Sequence, residues 1–370
     1  MTIEQLFFQL INVSLGTRIC LAHSPSADEW SELYSMAKMQ SLVGVCFAGV
    51  HRLVNHLQEP PKMLYLNWMG MAAKIQQRNE VVSCQCVDIQ RMLNNEGFDS
   101  LILKGQGVVM LYPEHLQGLR QSGDIDIWAM PKEATKDGRI VMTAKERRGM
   151  ICDYCAKIDP HYDRKKEGYL HTDVRVFPNT DVEWHFTPSF LSKPSANKKL
   201  QEWFEEQWID SFIIKDESSE IKAPGVEFNL VFLLLHIYRH ILFEGIGMRQ
   251  VLDYYFVLIH STAVDRIKAM TVLKSLGVDA FAEALMWVFT HVLAKENESW
   301  LLCKPDEARG RMLLEMILEG GNFGRSGEYA ITGGDHSVWW HVRRYVGRNS
   351  KLLRYYPSEI IWNLLNKMKI

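Results

Sequence analysis

A chain of 370 residues, 47% hydrophobic and 23% charged, has the composition of a packed globular protein, and its 11 tryptophans add bulky core material. That length exceeds one ordinary core and fits two or three packed units, which argues against disorder. A formal net charge of −2 gives no global basic field, so there is no strong nucleic-acid signal and small specific partners fit better.

The N-terminal residues lack the basic stretch, apolar run and small-residue cleavage site of a signal peptide. The longest apolar run, 230–235, ends at His236 and is far short of the ~20 residues that span a bilayer. The expectation is a cytoplasmic protein without a membrane partner. Seven cysteines without framework spacing agree with a reducing compartment.

From residue 1 to about 97 apolar residues recur at three and four positions, notably over 29–53 and 65–93, and predict helices broken by Pro60 and Pro61. The texture changes at Gly97. Residues 100–104 read as a short buried strand, 105–112 as a helix stopped by Pro113, and 124–130 as an alternating strand. Pro131 opens a helical stretch reaching about Ile158. Two strands follow at 169–177 and 181–186, around a turn at Pro178, Asn179 and Thr180. After about residue 195 helical faces continue to the end, broken at 320–324 and at Gly333 and Gly334. The predicted class is α+β: an N-terminal helical segment at 1–97, a mixed core at 98–190 and a C-terminal helical domain at 191–370.

The chemistry concentrates in the middle third. In a strand, residues two apart share a face, so Asp124 and Asp126 stand side by side while Ile125 and Ile127 face the core. Two carboxylates that close repel unless a cation sits between them, and Mg²⁺ takes one or two carboxylates together with phosphate oxygens. Upstream, Lys104 and Gly105 end a strand and open a helix, where backbone N–H groups can hold phosphate. Arg120 is placed to pair with a phosphate, and Gly123 to turn the chain into its strand. Glu183, near the middle of the last strand, is the favoured third carboxylate. Asp181 is its rival, and Arg175 is an alternative partner for Glu183 across the hairpin.

Taken together, Lys104-Gly105, Arg120, Gly123-Asp124-Ile125-Asp126 and Val182-Glu183-Trp184-His185 resemble the uncharacterised nucleotidyltransferases of the DNA polymerase β-like superfamily. The likeness runs over roughly residues 70–330 and takes in His236, His240, Arg249, Asp253 and the glycines at 320–324. It implies a polymerase β-like core with a short mixed sheet, in which Asp124 and Asp126 bind two Mg²⁺ (or Mn²⁺) ions. Glu183 would bind the catalytic ion and help deprotonate an acceptor hydroxyl. The implied reaction moves a nucleoside monophosphate from a nucleoside triphosphate to that hydroxyl with release of pyrophosphate. The acceptor is a small molecule, a protein side chain or an RNA end. The superfamily has Gly-Ser at its phosphate loop, whereas Gln106 follows Gly105 here, so Gln106, Lys104 or Arg120 would replace the serine contact. That departure keeps a second function in view, a catalytically inactive nucleotide-binding sensor or interaction module. A metal-dependent phosphohydrolase is disfavoured by the lack of a His-Asp metal doublet.

Other features have plainer readings. His236 and His240 are one turn apart on an apolar helix and read as a core pair. Arg249 and Asp253, at i and i+4, read as an intrahelical ion pair, with contact of Arg249 to a nucleotide, beside Gly245 and Gly247, as the lesser alternative. His171 and His185 are candidate substrate contacts. Cys152 with Cys155, and Cys84 with Cys86, lack the second half of a zinc site. The aromatic pairs Trp339-Trp340 and Tyr355-Tyr356 read as packing residues, beside Arg343, Arg344 and Arg348 as a modest anionic-ligand patch.

Overall fold

The computed structural model describes residues 1–209, 221–293, 300–321, 350 and 352–368. Four helices precede the sheet: α1 (Ile3–Leu15), α2 (Ala27–Met39), α3 (Val43–Leu53) and the long α4 (Lys62–Asn95). Thr2 with Gln5, and Ser26 with Glu29, form reciprocal capping boxes that start α1 and α2. Proline at 60 and 61 removes backbone donors and forces the break before α4. Along α4 the buried positions Trp68, Ala72, Ile75, Asn79, Val82, Cys86, Ile89 and Leu93 alternate by four and three residues. That spacing keeps one narrow apolar stripe against the body of the protein.

The sheet has the order β1-β2-β6-β5, with β1 (Phe98–Ile102), β2 (Ile125–Pro131), β5 (His171–Phe177) and β6 (Thr180–His185). It is mixed, because β1 and β5 run antiparallel to their neighbours whereas β2 and β6 are parallel. In the parallel pair Asp126 stands opposite Glu183, and Ile127 opposite Trp184. Alternation then sends Ile125, Ile127, Val182 and Trp184 into an apolar cluster with Phe98, Val174 and Tyr154. The acidic residues are left on the other face.

Two sequence expectations need correction. The stretch from Pro131 is not helical at first: β3 (Thr135–Lys136) and β4 (Arg139–Ile140) pair as a hairpin. Asp137 and Gly138 both have positive φ, the conformation a tight Asp-Gly hairpin turn demands. The helix, α7 (Ala144–Ile158), begins only at the capping box of Thr143 and Glu146. The helix expected over 105–112 is a single turn, α5 (Gln106–Val109), followed by another, α6 (Glu114–Gln117), so its macrodipole is slight.

Helices α8 (Pro194–Ile209), α9 (Val226–Phe243), α10 (Met248–His260), α11 (Ala263–Leu276), α12 (Asp279–Val292), α13 (Glu307–Gly320) and α14 (Pro357–Met368) complete the described elements. One apolar cluster joins α1 and α3 to α9, α10 and α12, and reaches the sheet at Leu101, Leu103 and Trp128. Helix α9 is long and apolar enough by composition to cross a membrane, yet 78% of it is buried inside the fold. Gly324, Gly333 and Gly334, with Trp339, Trp340, Arg343, Arg344 and Arg348, lie outside the described residues. Tyr356 packs against Tyr238 and Phe281, as expected of a packing residue.

Close backbone approach fixes the segment after β1. A Cβ on Gly107 would lie 2.1 Å from the Ile102 carbonyl oxygen, whereas one on Gly123 would meet nothing within 4 Å. Gly107→Ala should therefore cost about 1–3 kcal/mol of stability. Gly123→Ala should leave the thermal melting temperature nearly unchanged, and equal melting of the two variants would contradict this packing.

Candidate functional site

The end of β1 leads to Lys104 and Gly105 through one further ladder bond, from Leu103 N–H to Asp126 O at 2.9 Å. Gly105 has φ +55° and ψ −112°, a conformation that L side chains rarely adopt. Its backbone turn points Lys104 across β2: the Nζ donates to Asp126 Oδ1 at 2.6 Å.

Asp124, Asp126 and Glu183 converge, each offering a carboxylate oxygen within 4.8 Å of the other two. Burial alone would raise Asp126, but the Lys104 ammonium and the bond from His185 outweigh it and hold the carboxyl well below the usual range. Asp124 is raised, first by the negative charge of Asp126 and then by burial. Glu183 is raised by burial. His185, 1% exposed, lies with Nε2 2.9 Å from Asp126 Oδ1 and 3.3 Å from Glu183 Oε2. His171 brings Nδ1 to 3.3 Å from the same Glu183 oxygen, at ion-pair distance without hydrogen-bond alignment. The parallel pairing of β2 with β6 delivers His185 to the carboxylates, and the antiparallel pairing of β5 with β6 sets His171 opposite it. Arg175 stands elsewhere on β5, since the residue opposite Glu183 there is Asp173. Asp181 is exposed and outside the three-carboxylate group.

A family model described as uncharacterised nucleotidyltransferase matches residues 26–294. The chain belongs to that family. No curated protein and no solved structure matches it. The matched span includes the sheet, the three carboxylates and the α9 and α10 residues that face them.

Those helices close the site. A cavity of about 120 Å³ is lined by Lys104, Gly105, Gly123 and the acidic residues on one side, and by His236, Arg239, His240 and Arg249 on the other. His236 and His240 are indeed buried and in ring contact, with centroids 4.3 Å apart, but they line this cavity as well as the core. The hairpin side opens into a groove of about 1010 Å³, which meets the cavity at Gly123, Asp124, Glu183 and Arg249.

Two residues are engaged differently from their sequence reading. Arg120 forms a buried two-pronged pair with Asp253, at 2.7 and 2.6 Å, and Tyr112 Oη donates to the same carboxylate at 2.6 Å. Asp253 is therefore the partner of Arg120, not of Arg249, and Arg120 is committed to holding α10 against the loop before β2. Gln106 turns away from the cavity: its Nε2 donates to Asn79 O at 3.1 Å and Ser83 Oγ at 2.7 Å. The residue is 3% exposed and does not line the cavity. The paired cysteines of α7, Cys152 and Cys155, are buried thiols raised by that burial.

Sequence reasoning passed over Asn79. From the middle of α4 its Nδ2 donates to Gly118 O at 2.6 Å and Arg120 O at 2.7 Å, and its Oδ1 accepts from Ser122. One buried amide thus holds the whole loop that leads into Asp124. Its only sequence signal was a polar residue on the apolar stripe of α4.

The three carboxylates offer hard oxygen donors, and the raised Asp124 records repulsion that a divalent cation would relieve, so the donor set fits Mg²⁺ or Mn²⁺. His171, Glu183 and His185 form a second possible donor group that shares Glu183. Its nitrogens suit Mn²⁺ or softer metals better than Mg²⁺.

A raised carboxyl pKa means the fold favours the protonated acid, so the stability it contributes is present at low pH and lost as pH rises through the raised value. Asp124→Asn should stabilise chelator-treated protein at neutral pH by about 0.5–2 kcal/mol, while abolishing any Mg²⁺-dependent rise in melting temperature. Asp253→Asn leaves the Arg120 guanidinium buried without its counter-charge and should cost about 3–5 kcal/mol in urea unfolding. Unchanged unfolding midpoints would contradict both assignments.

Proposed function

We propose that the chain transfers a nucleoside monophosphate from a nucleoside triphosphate to an acceptor hydroxyl. The convergence of Asp124, Asp126 and Glu183 within 4.8 Å, inside a chain of the nucleotidyltransferase family, carries this reading. In it, residues 98–190 form a polymerase β-like core and 1–97 and 191–370 are helical segments around it. The hydroxyl oxygen bonds to the α-phosphorus, the bond from that phosphorus to the α–β bridging oxygen breaks, and pyrophosphate leaves.

Asp124, Asp126 and Glu183 would hold two divalent ions, Mg²⁺ or Mn²⁺, whose chemistry is to neutralise the phosphate oxygens and the leaving pyrophosphate. The residues of the chain supply the rest. Glu183, raised by burial, is suited to accept the hydroxyl proton at its carboxylate. His185 fixes Asp126 and Glu183 relative to each other by facing both. Lys104 balances the acidic group, and the Gly105 turn brings backbone close to the phosphates. The helical wall of α9 and α10 limits water at the reacting centre. The acceptor approaches along the groove beside β5 and β6, whose size accommodates a small molecule or a segment of a larger one.

One observation favours a second reading, a nucleotide-binding module without turnover. No hydroxyl side chain follows Gly105, and Lys104 is already engaged with Asp126.

Incubation with each α-³²P-labelled nucleoside triphosphate, Mg²⁺ or Mn²⁺ and a cell extract should transfer label and release pyrophosphate. Asp124→Ala with Asp126→Ala should reduce transfer to background, and Glu183→Gln should lower kcat by about 10²–10⁴-fold, the range that positioned general bases contribute. Tight nucleotide binding with no pyrophosphate in any of these reactions would select the module instead.

A further inference from the structure

Two positive charges of the cavity have no carboxylate bonded to them. Arg249, at the start of α10, is 7% exposed; its Nη1 donates to Gln121 O at 2.8 Å, and its Nε has no hydrogen-bond partner. The carboxylate one turn along its own helix, Asp253, is taken by Arg120 and Tyr112. Arg239, on α9, is half-buried and lies 5.4 Å from the Phe190 ring; no carboxylate among the described residues is within ion-pair distance of it, and the neighbouring Glu244, which lines the same cavity, is bonded to His240. Burial lowers both guanidinium pKa values, and the nearby charge of Arg120 helps lower Arg249 to about 10. Both remain cationic at neutral pH. Carboxylates lie near each guanidinium, Glu244 and Glu183 for Arg239 and Asp253 and Asp124 for Arg249, but none is bonded to it, so a bound anion would supply the charge-assisted hydrogen bonds that the fold leaves unmade.

Their position narrows the anion. Arg239 and Arg249 face Lys104, Asp124 and Asp126 across the small cavity, and Arg249 also stands where that cavity opens into the large groove. A ligand with anionic oxygens spread along its length suits two guanidiniums that line one cavity. A chain of linked phosphates can meet both, and guanidinium forks match phosphate oxygens better than any other side chain does. The cavity is far smaller than the groove, so the narrow phosphate chain suits the cavity and the bulky nucleoside suits the groove.

We infer that Arg239 and Arg249 form a polyphosphate-binding wall, contributed by the C-terminal helices, that holds the β- and γ-phosphates of the nucleotide where the phosphate loop lacks its serine. This assignment rests on the nucleotidyl-transfer reading for the identity of the ligand, but its binding test does not require turnover.

The probe is inorganic tripolyphosphate, titrated calorimetrically into the full chain with Mg²⁺ present. Arg249→Gln and Arg239→Gln should each raise its Kd by about 10–100-fold, the scale of one charge-assisted hydrogen-bonding group. Arg311→Gln, exposed on α13 and outside both the cavity and the groove, should leave it unchanged. Thermal melting identifies variants that keep the fold, and the half-buried Arg239 provides a second readout should Arg249→Gln unfold the chain. Tripolyphosphate affinity within twofold of wild type in a folded Arg249 or Arg239 variant overturns the assignment, as does a wild-type chain that does not bind tripolyphosphate. Arginine-dependent binding without pyrophosphate release from any nucleotide would uphold the wall and sink the transfer reaction. Pyrophosphate release with an unaltered nucleotide KM in both folded variants would do the reverse.

Discussion

Three carboxylates crowded into one cavity are the constraint around which this fold is arranged. Left to themselves they would repel and protonate: Asp124 is raised first by the charge of Asp126, and Glu183 first by burial and then by the charges of Asp126 and Asp124. Asp126 alone escapes it, because Lys104 and His185 both bond to its Oδ1. The arrangement is thus asymmetric, with the charge of one carboxylate offset by the protein and the other two raised. Such an unfavourable group persists only where the surrounding structure over-determines it.

That over-determination comes from outside the sheet. Asn79 on α4 grips the loop before Asp124, and Arg120 ties the same loop to Asp253 on α10. Arg249 adds a bond to Gln121 from the same helix. Farther out, Gln40, at the end of α2, donates to Ile317 O on α13 and accepts from Met248 N–H on α10. Asn12 on α1 donates to Val292 O on α12. Buried amides of this kind fit one arrangement of partners only, so they fix the register between helices that apolar packing would let slide. The N- and C-terminal helices share one apolar cluster and close around the sheet together. The walls of the site therefore come from segments more than 100 residues apart in sequence.

Much of the site was legible because strand alternation is a strictly local rule. Asp124 and Asp126 had to share a face once Ile125 and Ile127 were buried, and the preference for Glu183 over Asp181 followed from its place on the strand. The helices of the first 95 residues announced themselves through apolar recurrence and the break at Pro60 and Pro61. Local cues also went unread: Asp137-Gly138 is a hairpin turn signal inside a stretch taken as helix. The pairing of ions was not legible, for spacing on one helix joins Arg249 to Asp253 whereas burial of Arg120 claims that carboxylate for another element. Gln106 was likewise assigned by its place beside Gly105, when the neighbouring face of α4 draws its amide inward.

The sequence by itself determined the class of the fold, the acidic face of β2 and the glycine turn that precedes it, because these depend on periodicity and backbone conformation within a few residues. Only the tertiary structure decided which charges meet. The parallel pairing of β2 with β6 set Glu183 and His185 against Asp126, and the packing of α9 and α10 set Arg239 and Arg249 across the cavity from them. Coulomb energy depends on distance in space and on how much water is excluded, and neither quantity is written in the order of residues along the chain.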